Sequence, residues 1–283
     1  MRLATWNVNS ARARAPRLVD WLDRVQPVVA CLQETKVGTE EFAELFDGDL
    51  TRRGYAWEHH GDGRWNGVAL LSRVGLSQVR RGFAGEPAWE GALETRAISA
   101  VLAEGTRVWS LYVPNGRSLE DPHLAYKLRW LPALRAVVEA DLAAGVPTVA
   151  CGDFNIAPAD VDVWDPADFA ASTHVTPAER GELTALEQLG LQDLVRRRWP
   201  APQRVYSYWD YRAGMFHTDK GMRIDLLLAS PTVADRLAAA WVDRQARKGT
   251  GPSDHAPVVV DLDTAPSGDI GPVVPPPSLR GRR

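Results

Sequence analysis

The 283-residue chain has only two cysteines, Cys31 and Cys151, each inside a short apolar run. That excludes a disulfide framework and makes both of them buried free thiols. No cluster of cysteine and histidine stands at metal-ligand spacing, which argues against a zinc centre. No window approaches the roughly 18 consecutive apolar residues of a membrane helix, and Met1 to Asn7 has no apolar stretch of signal-peptide length. A cytoplasmic address with no membrane partner is therefore expected. There is no internal repeat. Basic charge is not in excess either, since 33 Lys and Arg against 36 Asp and Glu leave −3. Three of those arginines, Arg280, Arg282 and Arg283, face a single aspartate, Asp269, in the last stretch, so the body is about −5. Such a body can hold a polyanion only through local basic patches or a bound metal, not through global attraction.

What the chain does have is a 45% hydrophobic share, enough for one large core. One domain is expected over residues 1–264, followed at 265–283 by a Pro-rich basic tail too rich in Pro and Gly to pack, which reads as disordered. Short apolar runs alternate with amphipathic stretches, the pattern of an α/β protein. Strands are expected over Leu3–Val8, Val28–Leu32, Val68–Leu71, Val108–Val113, Thr148–Cys151, Ile224–Leu228 and Val258–Leu262. Helical spacing marks Leu18, Trp21, Leu22 and Val25 after Pro16, and Leu124, Leu128, Leu131, Leu134 and Val138 after Asp121-Pro122, with a kink expected at Pro132. Thr176-Pro177-Ala178-Glu179 reads as a capping box for a helix ending near Gly190. Ala97–Leu102 and Val108–Val113, separated by a few turn residues, suggest a hairpin and hence mixed sheets.

Polar residues interrupt the ends of these runs in five places. Asn7, Glu34 and the Asp153/Asn155 pair follow apolar runs, whereas Asp225 and Asp254-His255 precede them. If all five line one rim, the strands after Asp225 and His255 run opposite to those ending at Glu34 and Asp153. Four carboxylates in one cleft, Glu34, Asp153, Asp225 and Asp254, would repel by about 4 kcal/mol per pair at 4 Å and an effective dielectric near 20. Such a cleft requires a cation, and oxygen donors suit Mg²⁺ or Mn²⁺.

Six motifs in order, Trp6-Asn7-Val8-Asn9, Gln33-Glu34-Thr35-Lys36, Tyr112-Val113-Pro114-Asn115-Gly116, Gly152-Asp153-Phe154-Asn155-Ile156-Ala157-Pro158, Arg223-Ile224-Asp225-Leu226-Leu227-Leu228 and Pro252-Ser253-Asp254-His255-Ala256-Pro257, spread from residue 6 to 257. Together they resemble the exonuclease III family of apurinic/apyrimidinic (AP) endonucleases. The resemblance implies a four-layer α/β sandwich, two mixed β-sheets packed face to face with helices outside. It implies Glu34 as the main metal ligand, with Asn7, Asp153, Asn155 and Asp254 completing or supporting the site. It also implies Asp153 as the residue that activates or orients water, and Asn155 as a stabiliser of the transition-state phosphate. A His255–Asp225 dyad and the Tyr112 phenol would contact the phosphate. These roles suit phosphodiester cleavage, in which charge builds on nonbridging oxygens.

Substrate class is implied by Tyr206 to Arg212 and the following Met222-Arg223-Ile224-Asp225, which resemble the family's damage-recognition loop. Tyr208, Met222 and Ile224 would wall an apolar pocket for a flipped deoxyribose lacking its base. Arg12, Asn115, Arg117 and Lys127 are further candidates for DNA contact, and Arg14 and Arg247-Lys248 could add phosphate contacts around the site. Asn9 stands where some relatives carry Asp near a second metal, which favours one metal here; Tyr208 and Met222 stand where some relatives have Trp. The function implied is a monomeric, Mg²⁺-dependent class II AP endonuclease that cuts duplex DNA 5′ to abasic sites, with 3′-to-5′ exonuclease or 3′-phosphodiesterase activity on blocked 3′ ends. Two alternatives stay open, a phosphodiesterase of the wider superfamily acting on another substrate and a noncatalytic DNA-binding module.

Overall fold

A computed structural model of the chain describes residues 1–264; the tail expected at 265–283 lies outside the described residues. Two six-stranded sheets carry the fold. The first runs in the order β11 (Leu237–Val242), β12 (Val258–Leu262), β1 (Arg2–Asn7), β2 (Val29–Gln33), β4 (Val68–Ser72), β3 (Ala56–His60). The second runs β5 (Ser77–Arg81), β6 (Ala97–Val101), β7 (Arg107–Tyr112), β8 (Thr148–Asp153), β10 (Asp225–Ala229), β9 (Gln192–Asp193). In each sheet one parallel pair, β1–β2 or β7–β8, is flanked by antiparallel partners, β12 beside β1 and β10 beside β8. The mixed sheets and the reversed strands after Asp225 and His255 are as the sequence led us to expect.

The period-two alternation of strand side chains builds the layers. Leu3, Val29, Cys31, Val149, Cys151 and Leu227 point between the sheets. Their neighbours Ala4, Trp6 and Ala30 point outward onto α1 (Ala11–Val25) and α2 (Thr39–Arg52), while Trp109, Ala150 and Leu226 point onto α3 (Pro122–Ala143) and α4 (Pro177–Gln188). The result is the four-layer sandwich. Both cysteines are free and buried. A buried polar chain crosses between the sheets: Thr5 Oγ1 donates to Gln33 Oε1 (3.1 Å), Gln33 Nε2 to Ser110 Oγ (2.9 Å), and Ser110 Oγ to the Leu32 carbonyl (3.0 Å).

Helix ends follow local chemistry. Asp121 caps α3 by accepting from His123 N, with Pro122 at the first helical position, and Thr176 and Glu179 form the expected capping box of α4. One detail differs from the sequence reading: helix α1 begins at Ala11, capped by Ser10, so Pro16 lies inside it and not before it. As expected, α3 spans Pro132, running from Pro122 to Ala143. Tertiary packing of Leu18, Trp21 and Leu22, and of Trp130, Leu131 and Leu134, outweighs the lost backbone bond at each proline. Two short helices complete the order, α5 (Leu194–Arg198) and α6 (Pro231–Ala234). No described helix is long and apolar enough to cross a membrane.

Candidate active site

Asn7, Asp153 and Asp225 occupy the same inward-facing positions as the core residues two and four steps along their strands, but at the rim where the sheets end. Asp225 pairs directly with Asp153 across β10 and β8. Gly152 sets the close approach of β8 to β7: at φ +147° an added Cβ would lie 1.9 Å from the Leu111 carbonyl oxygen. Just beyond the strands, Glu34 and Asn155 both take left-handed backbone, φ 51° each. For residues other than Gly this conformation costs energy, a cost that clusters at functional sites.

The site is held by its own hydrogen bonds. Asn7 Nδ2 donates to Glu34 Oε1 (2.7 Å) and to Asp153 Oδ2 (2.9 Å), while its Oδ1 accepts from Asn9 N (3.0 Å). Glu34 Oε2 pairs with Lys36 Nζ at 2.7 Å, and Lys36 also donates to Asn9 Oδ1 (2.6 Å). Burial would raise the Glu34 carboxyl, but Lys36, the Asn7 amide and His255 outweigh it and hold the carboxyl below its usual range. Burial pushes the Asp153 carboxyl up to about 7, the charges of Asp225 and Glu34 adding to the effect and that of His255 opposing it. Burial disfavours the His255 imidazolium, yet Asp225 and Asp153 overcome this and raise its pKa to about 10. His255 is therefore a cation at neutral pH, its Nδ1 donating to Asp225 Oδ2 at 2.8 Å and its Nε2 3.7 Å from Asp153 Oδ2.

Glu34, Asp153 and His255 each bring one ligand-type atom within 4.8 Å of the others. A protonated imidazole has no lone pair to give, so the donors that fit a divalent ion are the Glu34 and Asp153 carboxylates, with Asn7 steadying both. Burial first, and the charges of Asp225 and Glu34 after it, raise the Asp153 carboxyl, and a divalent ion held there would favour its charged form. Asp254 stands further along the same rim and outside this cluster, its Oδ1 accepting from Asn9 Nδ2 (3.0 Å).

The remaining candidates surround this centre. Asn155 donates through Nδ2 to the Val113 carbonyl (3.0 Å) and accepts at Oδ1 from Asn115 Nδ2 (2.9 Å). The Tyr112 ring lies 4.9 Å from the Arg96 guanidinium, and burial with the nearby Glu34 charge raises its hydroxyl well above the usual range. Tyr208 packs its ring 4.9 Å from that of His255, and its backbone pairs with Met222 in both directions at 2.9 Å. A cavity of about 470 Å³ opens beside them, lined by Tyr208, Met222, Trp164, Phe169, His174 and Arg117. A groove of about 770 Å³, lined by Tyr112, Asn115 and the exposed Trp65 and Leu93, meets it at Arg117. Arg117 is exposed, and Arg12, also exposed, pairs with Glu41 at 2.6 Å.

Two expectations need correction. Lys127 is fully buried, donating to Glu179 Oε1 (2.5 Å), the Asn155 carbonyl (2.6 Å) and the Asn115 carbonyl (3.3 Å), so it cannot reach DNA. Its long stem and single charge serve a buried network in place of a surface contact. Ile224 is 2% exposed and packs behind Met222 with Val163 and Ala157, so it backs the cavity without lining it. Sequence reasoning also missed Lys36, Ser207, Glu179 and His174. Lys36 and Ser207 lay within quoted motifs and Glu179 within the capping box, although nothing local marked the Ser207 bond to Asp225 (2.6 Å); the His174 Nδ1 contact with the Asn155 carbonyl (2.6 Å) had no local signal.

Known proteins share both the sequence and this arrangement. The family model described as Endonuclease/Exonuclease/phosphatase family matches residues 4–255. Exodeoxyribonuclease III of Haemophilus influenzae is 30% identical over 268 residues, covering 91% of this chain and 98% of that protein. The structure of the 3′ phosphatase NExo from Neisseria, bound to a product DNA hairpin, superposes with a TM-score of 0.87 at 36% identity, covering 93% of this chain and all (100%) of that one. An AP endonuclease from Archaeoglobus fulgidus gives 0.86 at 33% identity with the same coverages, 93% and 100%. With all six motifs gathered at one end of the paired sheets and these likenesses spanning nearly the whole chain, the protein belongs to the endonuclease/exonuclease/phosphatase family and, within it, to the exonuclease III type of AP endonucleases.

Proposed function

We propose that the protein is a monomeric, Mg²⁺-dependent DNA repair phosphodiesterase that cuts duplex DNA 5′ to abasic sites and clears blocked 3′ ends. The observation that carries this reading is the meeting of Glu34, Asp153 and His255 within 4.8 Å, two carboxylates for a cation and one imidazolium for a phosphate. Glu34 and Asp153 would hold the ion, with Mn²⁺ as a possible substitute; when bound, it supplies positive charge to the scissile phosphate. Asp153, with one carboxylate oxygen held by the Asn7 amide, orients the attacking water and accepts its proton. His255 and the Tyr112 hydroxyl donate to the phosphate oxygens as charge grows on them, and Asn155 adds its free amide hydrogen. The products are a 3′-hydroxyl and, at an abasic site, a 5′-deoxyribose phosphate. A noncatalytic binder would gain nothing from carboxylates that repel phosphate.

A second reading, in which 3′-end cleaning dominates, is favoured by His174. Its ring stands in the wall of the cavity beside Tyr208 and Met222, where an abasic sugar would enter. Burial and the Lys127 charge lower its pKa to about 4, so it is a neutral, space-filling wall at physiological pH. The Neisseria relative is named a 3′ phosphatase. The deciding experiment compares two labelled duplexes, one with an internal tetrahydrofuran abasic analogue and one with a 3′-phosphate at a nick, each with Mg²⁺ and with EDTA. Metal-dependent incision 5′ to the analogue supports the first reading, removal of the 3′-phosphate alone supports the second, and inertness toward both overturns the DNA-repair assignment.

A further inference from the structure

Most deeply buried guanidiniums of this fold have a carboxylate of their own. Arg96 pairs with Glu94 (2.6 Å), Arg107 with Asp141 (3.5 Å) and Arg223 with Asp162 (2.6 Å). The buried Arg247 and the half-buried Arg14 break the pattern: among the described residues neither has a carboxylate oxygen within 4.0 Å. They bracket one phenol. Arg14 Nη2 donates to the Tyr211 hydroxyl (2.7 Å) and to the Pro252 carbonyl (3.1 Å), and the Tyr211 hydroxyl donates to that same carbonyl (2.8 Å). The Arg247 guanidinium lies 5.0 Å from the Tyr211 ring centre, donates through Nη2 to the Trp209 carbonyl (3.1 Å), and is only 7% exposed. The Nε of each is buried without a partner among the described residues, whereas neither Nη1 is buried or bonded there. Burial lowers the Arg247 pKa, and the nearby Arg14 charge adds to the effect.

This is the cationic counterpart of the carboxylate cluster, two like charges drawn together on neutral hydrogen-bond partners, with the Asp254 charge near enough to favour the Arg247 cation but bonded to neither guanidinium. It lies beside the part of the rim that carries Asp254, since Pro252 is two residues before Asp254, and Trp209 N donates to the Asp254 carbonyl (3.0 Å). We propose that Arg14 and Arg247, either side of Tyr211, form a subsite for one backbone phosphate of bound DNA, distinct from the phosphate that is cleaved. The ligand is a phosphodiester because a single negative charge with several acceptor oxygens satisfies two guanidinium groups at once. The subsite lends the acidic body one of the local attractions it needs to hold DNA. It rests on the reading of the protein as a DNA nuclease.

The test is binding of a labelled nicked duplex in EDTA across a range of KCl, for the unaltered protein, Arg14→Gln and Arg14→Lys. Losing one phosphate contact should flatten the slope of log K against log salt by about 0.9 in Arg14→Gln, equally for unrelated DNA sequences, and Arg14→Lys should restore it. A second measurement needs no folded variant: methylphosphonates placed singly along the strand should reveal one phosphate, not the scissile one, whose neutralisation weakens binding several-fold. In Arg14→Gln that same neutralisation should then cost nothing further. An unchanged slope with no such phosphate overturns the subsite and leaves Arg14 and Arg247 as anchors of the Tyr211 loop. Absence of metal-dependent cleavage by the unaltered protein overturns the nuclease reading instead, so the two failures are separable.

Discussion

Nδ1 of His255 lies 2.8 Å from Oδ2 of Asp225, and the same carboxylate oxygen accepts from Ser207 Oγ at 2.6 Å. Two donors thus fix the carboxylate, and the carboxylate fixes the ring with its other nitrogen toward Asp153. Replacing Asp225 by Asn removes the largest influence holding the His255 pKa near 10, which should fall toward the ordinary 6.5. The alkaline limb of the kcat/KM profile should move down with it, and turnover at pH 8 should drop by about 100-fold as the imidazolium is lost. A profile that keeps its alkaline limb in D225N would remove His255 from the chemistry.

Asp153 makes metal binding and protonation compete. Its folded pKa of about 7 lies above the ordinary 3.8, so in metal-free protein its contribution to stability is fully present below about 3.8 and is lost as pH rises through 7. A divalent ion displaces that proton and relieves the crowding. The rise in Tm between EDTA and Mg²⁺ should accordingly be larger at pH 8 than at pH 6, and calorimetry in two buffers of different ionisation enthalpy should detect proton release. Equal shifts at both pH values would mean that the ion sits elsewhere.

Lys127 offers a test of burial against contact. Its pairing with Glu179 is fully enclosed, so Lys127→Met leaves a buried carboxylate unpaired and should cost about 3–5 kcal/mol in urea unfolding. Adding Glu179→Gln should return much of that stability, while turnover stays low because the Asn155 and Asn115 carbonyls have lost their shared donor. The salt dependence of DNA binding should not change in either variant. A flattened slope would restore Lys127 to the DNA interface.

His174 has φ 77°, a conformation natural to glycine, so His174→Gly should fold without strain while emptying the cavity wall. If the ring limits entry of an abasic sugar, the ratio of abasic incision to 3′-phosphate removal should rise by about tenfold or more, the equivalent of about 1.4 kcal/mol in relative barrier. An unchanged ratio would show that access to the site is set by other walls.

The legible parts of this protein are those where one local rule acts alone. All seven expected strands exist, because each is an apolar run bounded by turn residues, and the rim residues fall at inward-facing positions dictated by strand periodicity. Helices α2, α5 and α6 and strands β3, β5, β9 and β11 escaped. Ser77–Arg81 is a polar edge strand with no apolar face to betray it, and Leu237–Val242 reads Leu-Ala-Ala-Ala-Trp-Val, a helical composition that pairing with β12 overrides. In the site, charge could be placed but burial could not. Lys127 reads as a surface cation until Glu179, 52 residues away, is seen to meet it.

The polar chain Thr5–Gln33–Ser110 has a consequence for how activity is lost. Asn7 and Glu34 belong to one sheet, Asp153 and Asp225 to the other, and neither sheet owns a working half of the centre. The chain acts as a dowel between them. A slip of one residue, about 3.3 Å, would shear its bonds and carry the Asn7 amide out of reach of Asp153. Catalysis in this architecture gauges the alignment of two slabs, and mild denaturation should silence it while circular dichroism still reports both sheets intact.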